Sequence, residues 1–131
     1  MSQTDLSQRI EAVERGYEYM LAYAAQGFES TQQGGHEKEL RQHLQAMDDA
    51  LQGLNDSVVA VAGDVDGEAM ESYLVFLQAV GQDASKAQGA IRLVQSRSGI
   101  SSQLVDNLNA SIHLRALLTD LFLVDEALNS I

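Results

Sequence analysis

The stretch that decides the fold runs from residue 36 to residue 62 and reads HEKELRQHLQAMDDALQGLNDSVVAVA. Apolar residues recur in it at alternating steps of four and three, which places them in one stripe along a helix. The members of this stripe are Leu40, Leu44, Met47, Leu51, Leu54, Val58 and Val61. A seven-residue repeat sustained over this length predicts a long helix that packs nearly parallel to its neighbours.

Three further stretches carry the same alternation, so the sequence predicts four helices joined by short turns. The predicted helices cover residues 4–28, 36–62, 67–95 and 101–130. Short turns favour antiparallel neighbours, and Ser101 or Ser102 is placed to cap the fourth helix. The predicted fold class is therefore all-α, an antiparallel up-down-up-down four-helix bundle that forms a single domain over residues 1–131. Two long hairpins that complete their core only on dimerising are the alternative.

Composition and charge exclude several classes of function. A formal net charge of -11 disfavours nucleic acid and anionic membranes as partners. The absence of cysteine excludes disulfides, thiolate metal sites and thiol nucleophiles. No apolar run approaches the roughly 20 residues that span a bilayer, and the first residues lack the pattern of a signal peptide. We therefore expect a cytoplasmic protein.

One end of the predicted bundle carries more apolar residues than a single core can cover. Residues 58–62, 73–77 and 114–124 are apolar almost throughout, and a helix that is apolar all round should be buried all round. This surplus predicts a homodimer through the fourth predicted helix and the apolar end of the third, or contact with a second protein. The predicted interface residues are Leu74, Phe76, Leu114, Leu117, Leu118, Phe122 and Leu123. A bundle wide enough to bury both faces of the fourth helix is the alternative.

A row of small residues lies beside the core stripe of the third predicted helix. Gly81, Ser85 and Gly89 are spaced at four and eight residues, so they share a helix face. Such a row either lets a neighbouring helix approach closely or leaves a groove. Tyr19 and Tyr23 are candidates to line a groove of this kind, although we favour a helix–helix seam as their place.

A histidine-bearing face on the second predicted helix is the candidate metal site. Spacings of three and seven place His36, Glu39 and His43 on one side of that helix, and His113 on the fourth could supply a third imidazole. Imidazole with carboxylate suits zinc or iron. The chain lacks the Glu-x-x-His pairs of di-metal bundles, so surface histidines beside solvated glutamates are the alternative. This possible transition metal is the one cofactor that the sequence suggests.

No motif in the sequence points to catalysis. The chain has no Gly-x-Ser-x-Gly elbow and no phosphate-cradling glycine loop. We therefore expect a non-catalytic protein–protein interaction module that acts as a homo-oligomer, such as a small acidic adaptor, chaperone, immunity protein or regulator. The alternative function is a metal- or small-ligand-binding bundle that uses the histidine-bearing face.

Overall fold

The computed structural model describes the backbone of residues 2–29, 34–62 and 68–129, and the side chains of residues 5–29, 34–60 and 71–127. The protein is all-α over these ranges, as the heptad pattern predicts. The helices are α1 (Ser2–Ala25), α2 (Gly35–Gln52), α3 (Leu54–Ala62), α4 (Glu68–Gln95), α5 (Ser102–Asn109) and α6 (Ile112–Asn129).

The heptad stripes form the core. Within residues 36–62, every described member of the stripe is at most 4% exposed. Val61, its last predicted member, lies outside the described side chains. The stripe of α4 is buried in the same way, with Leu77, Val80, Ala84, Ala87, Ile91 and Val94 all in the core.

The second predicted helix is divided into α2 and α3 at Gly53, so the prediction of one unbroken helix over residues 36–62 is wrong. The carbonyl groups of the last helical turn lack partners within their own helix. Arg9 of α1 provides a donor for two of these carbonyl groups. Its Nη1 donates to the carbonyl oxygens of Asp49 at 3.3 Å and Ala50 at 3.0 Å. A Cβ at residue 53 would lie 2.8 Å from Nη2 of Arg9, so the glycine leaves room for the guanidinium.

The fourth predicted helix is also divided, because α5 ends at Asn109 and α6 begins at Ile112. The chain tightens at the end of α5, where the backbone N–H of Ser111 donates to the carbonyl of Leu108 at 3.0 Å, three residues back. The N–H of Arg115 then donates to the carbonyl of Ser111 at 3.1 Å and opens α6. The described ranges therefore hold six helices where four were predicted.

Two helix ends follow ordinary capping chemistry. The side-chain oxygen of Ser101 accepts the backbone N–H of Leu104 at 3.0 Å, which confirms one of the two predicted caps. Helix α1 ends at Ala25, three residues before its predicted end, and Gly27 follows with a φ of 73°. Glycine suits this left-handed conformation because it has no Cβ to clash with the backbone.

Helices α1 and α2 run antiparallel to each other, and so do α2 and α4. Arg9 near the start of α1 reaches the end of α2, whereas Tyr19 reaches His36 at its beginning. The same pattern relates α2 to α4, because Arg41 donates to the carbonyl of Gln95 at the end of α4.

The chain from α5 to α6 runs opposite to α1. Tyr23 lies against Ile100, just before α5, whereas the charge of Asp125 near the end of α6 acts on Glu14 in the middle of α1. Since α4 runs in the same direction as α1, it also runs opposite to α6, with which it makes its most extensive contact. Helix α2 contacts neither α5 nor α6 within the described residues.

Among the described glycines, Gly16 on α1 has the tightest surroundings. This glycine is buried, and a Cβ built on it would overlap Cγ and Sδ of Met47 and lie 3.5 Å from the carbonyl oxygen of His43. Met47 is itself completely buried, so it cannot swing into solvent to make room. The missing side chain therefore sets the spacing between α1 and α2.

We expect Gly16→Ala to lower the free energy of unfolding by up to about 2 kcal/mol, because overpacking of the added methyl group against Met47 costs about 1–3 kcal/mol. This cost outweighs the gain of about 1 kcal/mol that alanine brings to a helix interior. Urea unfolding followed by circular dichroism measures the change.

Gly89→Ala is the matched control, since nothing lies within 4 Å of a Cβ at that position in α4. It should raise the free energy of unfolding by up to about 1 kcal/mol. If both variants stabilised the protein equally, the close approach at Gly16 would be refuted.

Candidate functional site

The predicted metal ligands on α2 are engaged by aromatic side chains of α1 and its following turn. The ring of His43 stacks on that of Tyr19 with centroids 4.6 Å apart, and the ring of His36 stacks on that of Phe28 at 5.1 Å. The hydroxyl of Tyr19 donates to the carbonyl oxygen of His36 at 3.1 Å and lies 3.3 Å from Oε2 of Glu39. The histidine-bearing face is therefore the surface against which α1 packs.

His113 is exposed at the start of α6 and is not brought to the other three residues. Helices α6 and α2 do not touch in the ranges described. No group of three or more histidine, aspartate or glutamate side chains that could hold a metal ion is found among the described residues. The predicted set of His36, Glu39, His43 and His113 is thus not assembled there.

Two of the three tyrosines of α1, Tyr19 and Tyr23, act as hydrogen-bond donors. Burial raises the pKa of Tyr19, and the neighbouring carboxylate of Glu39 raises it further. Burial likewise raises the pKa of Tyr23, followed by the charge of Glu37. Both hydroxyls therefore keep their protons at neutral pH. Tyr23 is only 3% exposed and belongs to the core, so its predicted place in a groove is wrong.

Beside these tyrosines, a buried carboxylate ties the loop between α4 and α5 to α2. Oε1 of Glu37 accepts the backbone N–H of Ile100 at 2.9 Å, and its Oε2 lies 3.4 Å from Nε of Arg41. The guanidinium of Arg41 donates to the carbonyl oxygens of Gln95 at 3.0 Å and Arg97 at 2.6 Å. The ion pair of Glu37 and Arg41 on α2 therefore provides hydrogen-bond partners for backbone groups at the end of α4 and in the loop that follows it.

The end of α1 joins the same network. The hydroxyl of Tyr23 donates to the carbonyl of Ile100 at 2.6 Å, and the hydroxyl of Ser102 donates to the carbonyl of Tyr23 at 2.6 Å. Phe28 and Ser102 also exchange two hydrogen bonds, from the N–H of Phe28 to Oγ of Ser102 at 2.7 Å and from the N–H of Ser102 to the carbonyl of Phe28 at 2.8 Å. We call Tyr23, Glu37, Arg41, Ile100 and Ser102 the polar network.

An open depression of about 700 Å³ lies next to the polar network, between the turn after α1 and the start of α5. Its wall includes Glu29, Ser101, Ser102 and Asp106. The two serine oxygens already bind backbone groups of this chain. The depression is therefore lined by acidic side chains and by two hydroxyl groups that already form hydrogen bonds with the backbone. Neither hydroxyl is activated as a nucleophile.

The row of small residues on α4 lines a groove. Gly81 and Ser85 border an open depression of about 460 Å³ together with Asn55 of α3 and Lys86. A Cβ at residue 81 would lie 3.4 Å from Oδ1 of Asn55, so the two helices are close without interlocking. Gly89 is exposed and faces open space. Tyr19 does not border this groove and lies in the seam between α1 and α2.

The structure divides the predicted interface residues. Leu114 and Leu117 are completely buried and Leu118 is 6% exposed, so their assignment to an intermolecular surface is wrong. The physical reason is that α6 contacts α1, α3, α4 and α5, which together cover a wide arc of its surface. The remaining predicted residues are Leu74, Phe122 and Leu123, which are exposed, and Phe76, which is half-buried.

Two further exposed residues belong with them and were missed by the sequence analysis. Val59 on α3 is 43% exposed and Val75 on α4 is 72% exposed. Both lie inside apolar runs, residues 58–62 and 73–77. These runs contain more consecutive apolar residues than a heptad stripe requires, and that surplus was the signal in the sequence for an exposed apolar surface. We call Val59, Leu74, Val75, Phe122 and Leu123 the apolar band.

A buried carboxyl group on α6 also escaped the sequence analysis. Asp120 is 9% exposed, and no N–H or O–H group of the described residues donates to its Oδ2. Burial, followed by the hydrogen bond and charge of Asp83 on α4, raises the pKa of Asp120 to about 7. The signal in the sequence was an aspartate within the apolar run 116–124.

No protein-family model matches the chain, and neither does any curated protein or solved structure. Among the helices of the described ranges, none combines the length and apolar character required to cross a bilayer.

We expect Glu37→Ala to lower the free energy of unfolding by about 2–3 kcal/mol, because the buried N–H of Ile100 and the guanidinium of Arg41 lose their shared acceptor. Glu37→Gln should cost less, since an amide oxygen still accepts the N–H of Ile100. Urea unfolding measures both losses.

The control for this measurement is Glu39→Ala. Glu39 is exposed and its carboxylate lies near only the hydroxyl of Tyr19, so the expected change is within about 0.5 kcal/mol. Equal losses for Glu37→Ala and Glu39→Ala would contradict the structural role given to the buried carboxylate.

Proposed function

We propose that this protein is a non-catalytic protein–protein interaction module, of the kind that serves as a small acidic adaptor, chaperone, immunity protein or regulator. It acts as a homodimer in which the apolar band forms the contact surface, through α6 and the N-terminal half of α4. The observation that carries this proposal is that five of the eight large apolar side chains exposed among the described residues lie toward one end of the molecule; the other three are Leu21, Leu93 and Ile112.

The members of the apolar band lie at one end because the helices run antiparallel. Asp83 on α4 faces Asp120 on α6, so residues before 83 and after 120 extend toward the same end. Val59, near the end of α3, joins them there because Asn55 one turn earlier lies against Gly81. Large apolar side chains grouped in this way are typical of surfaces that contact another protein.

The charged residues near the apolar band favour apolar contact, and not ion pairing, as the force that holds the proposed dimer together. Residues 71–85 and 116–127 contain no lysine or arginine, whereas Glu71 and Glu126 are exposed within them. A second copy brings its own acidic side chains to this surface, and these repel the first. Salt screens such repulsion between exposed charges. The net charge of -11 also weighs against nucleic acid and anionic membranes as partners.

Within this proposal, the six helices form an up-down-up-down four-helix bundle whose second and fourth members are interrupted. Helices α2 and α3 follow one another along α1, separated only by Gly53. Helices α5 and α6 are separated by Ala110 and Ser111. The antiparallel contacts of successive segments support this topology. The absence of cysteine supports a cytoplasmic setting.

The polar end of the molecule supports a non-catalytic function. The groups there that resemble catalytic side chains are bound to the backbone of the chain itself. Glu37 binds the N–H of Ile100, and Ser102 binds Tyr23 and Phe28. These side chains hold the loops that they contact.

Replacing Phe122 and Leu123 by aspartate should dissociate the homodimer. These side chains are 54% and 55% exposed, so the folded monomer tolerates the change, whereas unpaired charges buried in an apolar interface cost about 3–5 kcal/mol. The dissociation constant should therefore rise a hundredfold or more. Sedimentation equilibrium measures it, and circular dichroism confirms that the monomer stays folded.

Ile112→Asp is the matched control, because Ile112 is 74% exposed on the same helix but at its opposite end. This variant should dimerise like the wild type, and added salt should tighten both dimers. A wild-type protein that sediments as a monomer at every concentration would overturn the proposed homodimer.

A further inference from the structure

The seam between α4 and α6 contains a carboxyl group with an unmet hydrogen-bonding requirement. Asp120 is more than nine-tenths buried, and no N–H or O–H group of the described residues donates to its Oδ2. Its flanking residues on α6, Leu117, Leu121 and Val124, are core residues. Ionising a carboxyl group in such surroundings is costly, because burial removes the water that would solvate the charge.

The neighbour of Asp120 across the seam is a second carboxyl group. Asp83 of α4 is half-buried, and its carboxyl group lies within hydrogen-bonding reach of Asp120 and acts on it as a like charge. Two carboxylates that share one site cannot both ionise cheaply, and such pairs retain one proton between them. A protonated carboxyl group can donate its O–H to the ionised one, which converts repulsion into a hydrogen bond.

We propose that Asp83 and Asp120 share one proton, and that this proton is a pH-sensitive latch between α4 and α6. With the proton in place, the O–H of Asp120 donates to the carboxylate of Asp83 and joins the two helices. When the proton passes to solvent, two like charges face each other across the seam and the contact weakens. The latch concerns the folded chain itself and does not depend on the proposed homodimer.

The charged surroundings of Asp120 do not supply a compensating cation. On α4, Lys86 lies one turn from Asp83 but is exposed and borders the groove shared with α3. From α1, Glu14 interacts with Asp125 and the acids of its own helix. The acids of α3 and α5, Asp56 and Asp106, are exposed. No ion pair of Asp83 or Asp120 is found among the described residues.

The position of the switch on the pH scale follows from the buried group. Burial and Asp83 raise the pKa of Asp120 to about 7, whereas an aspartate in an unfolded chain titrates near 3.9. Between these values the folded protein holds a proton that the unfolded chain has released. The stability contributed by the latch is therefore fully present below about pH 4 and is lost as the pH rises through about 7.

The test is urea unfolding of the wild type, Asp120→Asn and Asp83→Asn at a series of pH values between about 5 and 9. In the wild type, the folding equilibrium constant should fall by up to tenfold for each pH unit below 7, the limit for one proton. Asp120→Asn should lack this dependence. In Asp83→Asn the dependence should move to lower pH, since the like charge is gone. Repulsion across the whole acidic surface is nearly common to all three proteins, so it largely cancels in their differences.

A direct titration of the side-chain carboxyl carbons by NMR provides a second measurement on the wild type, assigned with Asp120→Asn. A carboxyl group at this pair that titrates near neutral pH supports the latch. Titration of both aspartates near pH 4, or a wild type and an Asp120→Asn variant with the same pH dependence of unfolding, would overturn it.

Discussion

The close approach of α1 to α2 at Gly16 is the constraint on which the rest of the structure depends. Arg9, Gly16 and Tyr23 recur every seven residues, so they share one line along α1. Because Gly16 has no side chain, this line of α1 lies close against α2. Arg9 then reaches the end of α2, and Tyr23 reaches Ile100 just before α5. The break at Gly53 and the polar network both result from side chains that this contact positions.

Much of the core could be predicted from the sequence, because heptad spacing determines which residues share a helix face. The stripe from Leu40 to Val58 is buried throughout. The two helix breaks could not be predicted in this way. A glycine costs a helix only about 1 kcal/mol, so Gly53 alone does not end one. The decisive partner, Arg9, lies more than 40 residues earlier, and the second break at Ala110 has neither glycine nor proline to mark it.

The candidate sites show the same limit. Spacing placed His36 and His43 correctly on one face of α2, but it carried no information on the aromatic rings that α1 brings to them. Leu118 looked like surplus apolar surface because a single stripe was counted for α6, whereas several helices cover that element. A sequence pattern thus describes one helix face, and the function of that face depends on what the fold packs against it.

The molecule that results carries the polar network at one end and the apolar band toward the other, while Leu21, Leu93 and Ile112 are exposed outside that band. The polar network satisfies its own groups, while the apolar band has no partner within the described chain. Hydrogen exchange at low and high protein concentration tests this contrast most directly. The account predicts that amides in residues 71–79 and 116–127 become more protected at high concentration, while those in residues 93–112 do not change. Exchange that is independent of concentration in all of these segments would contradict it.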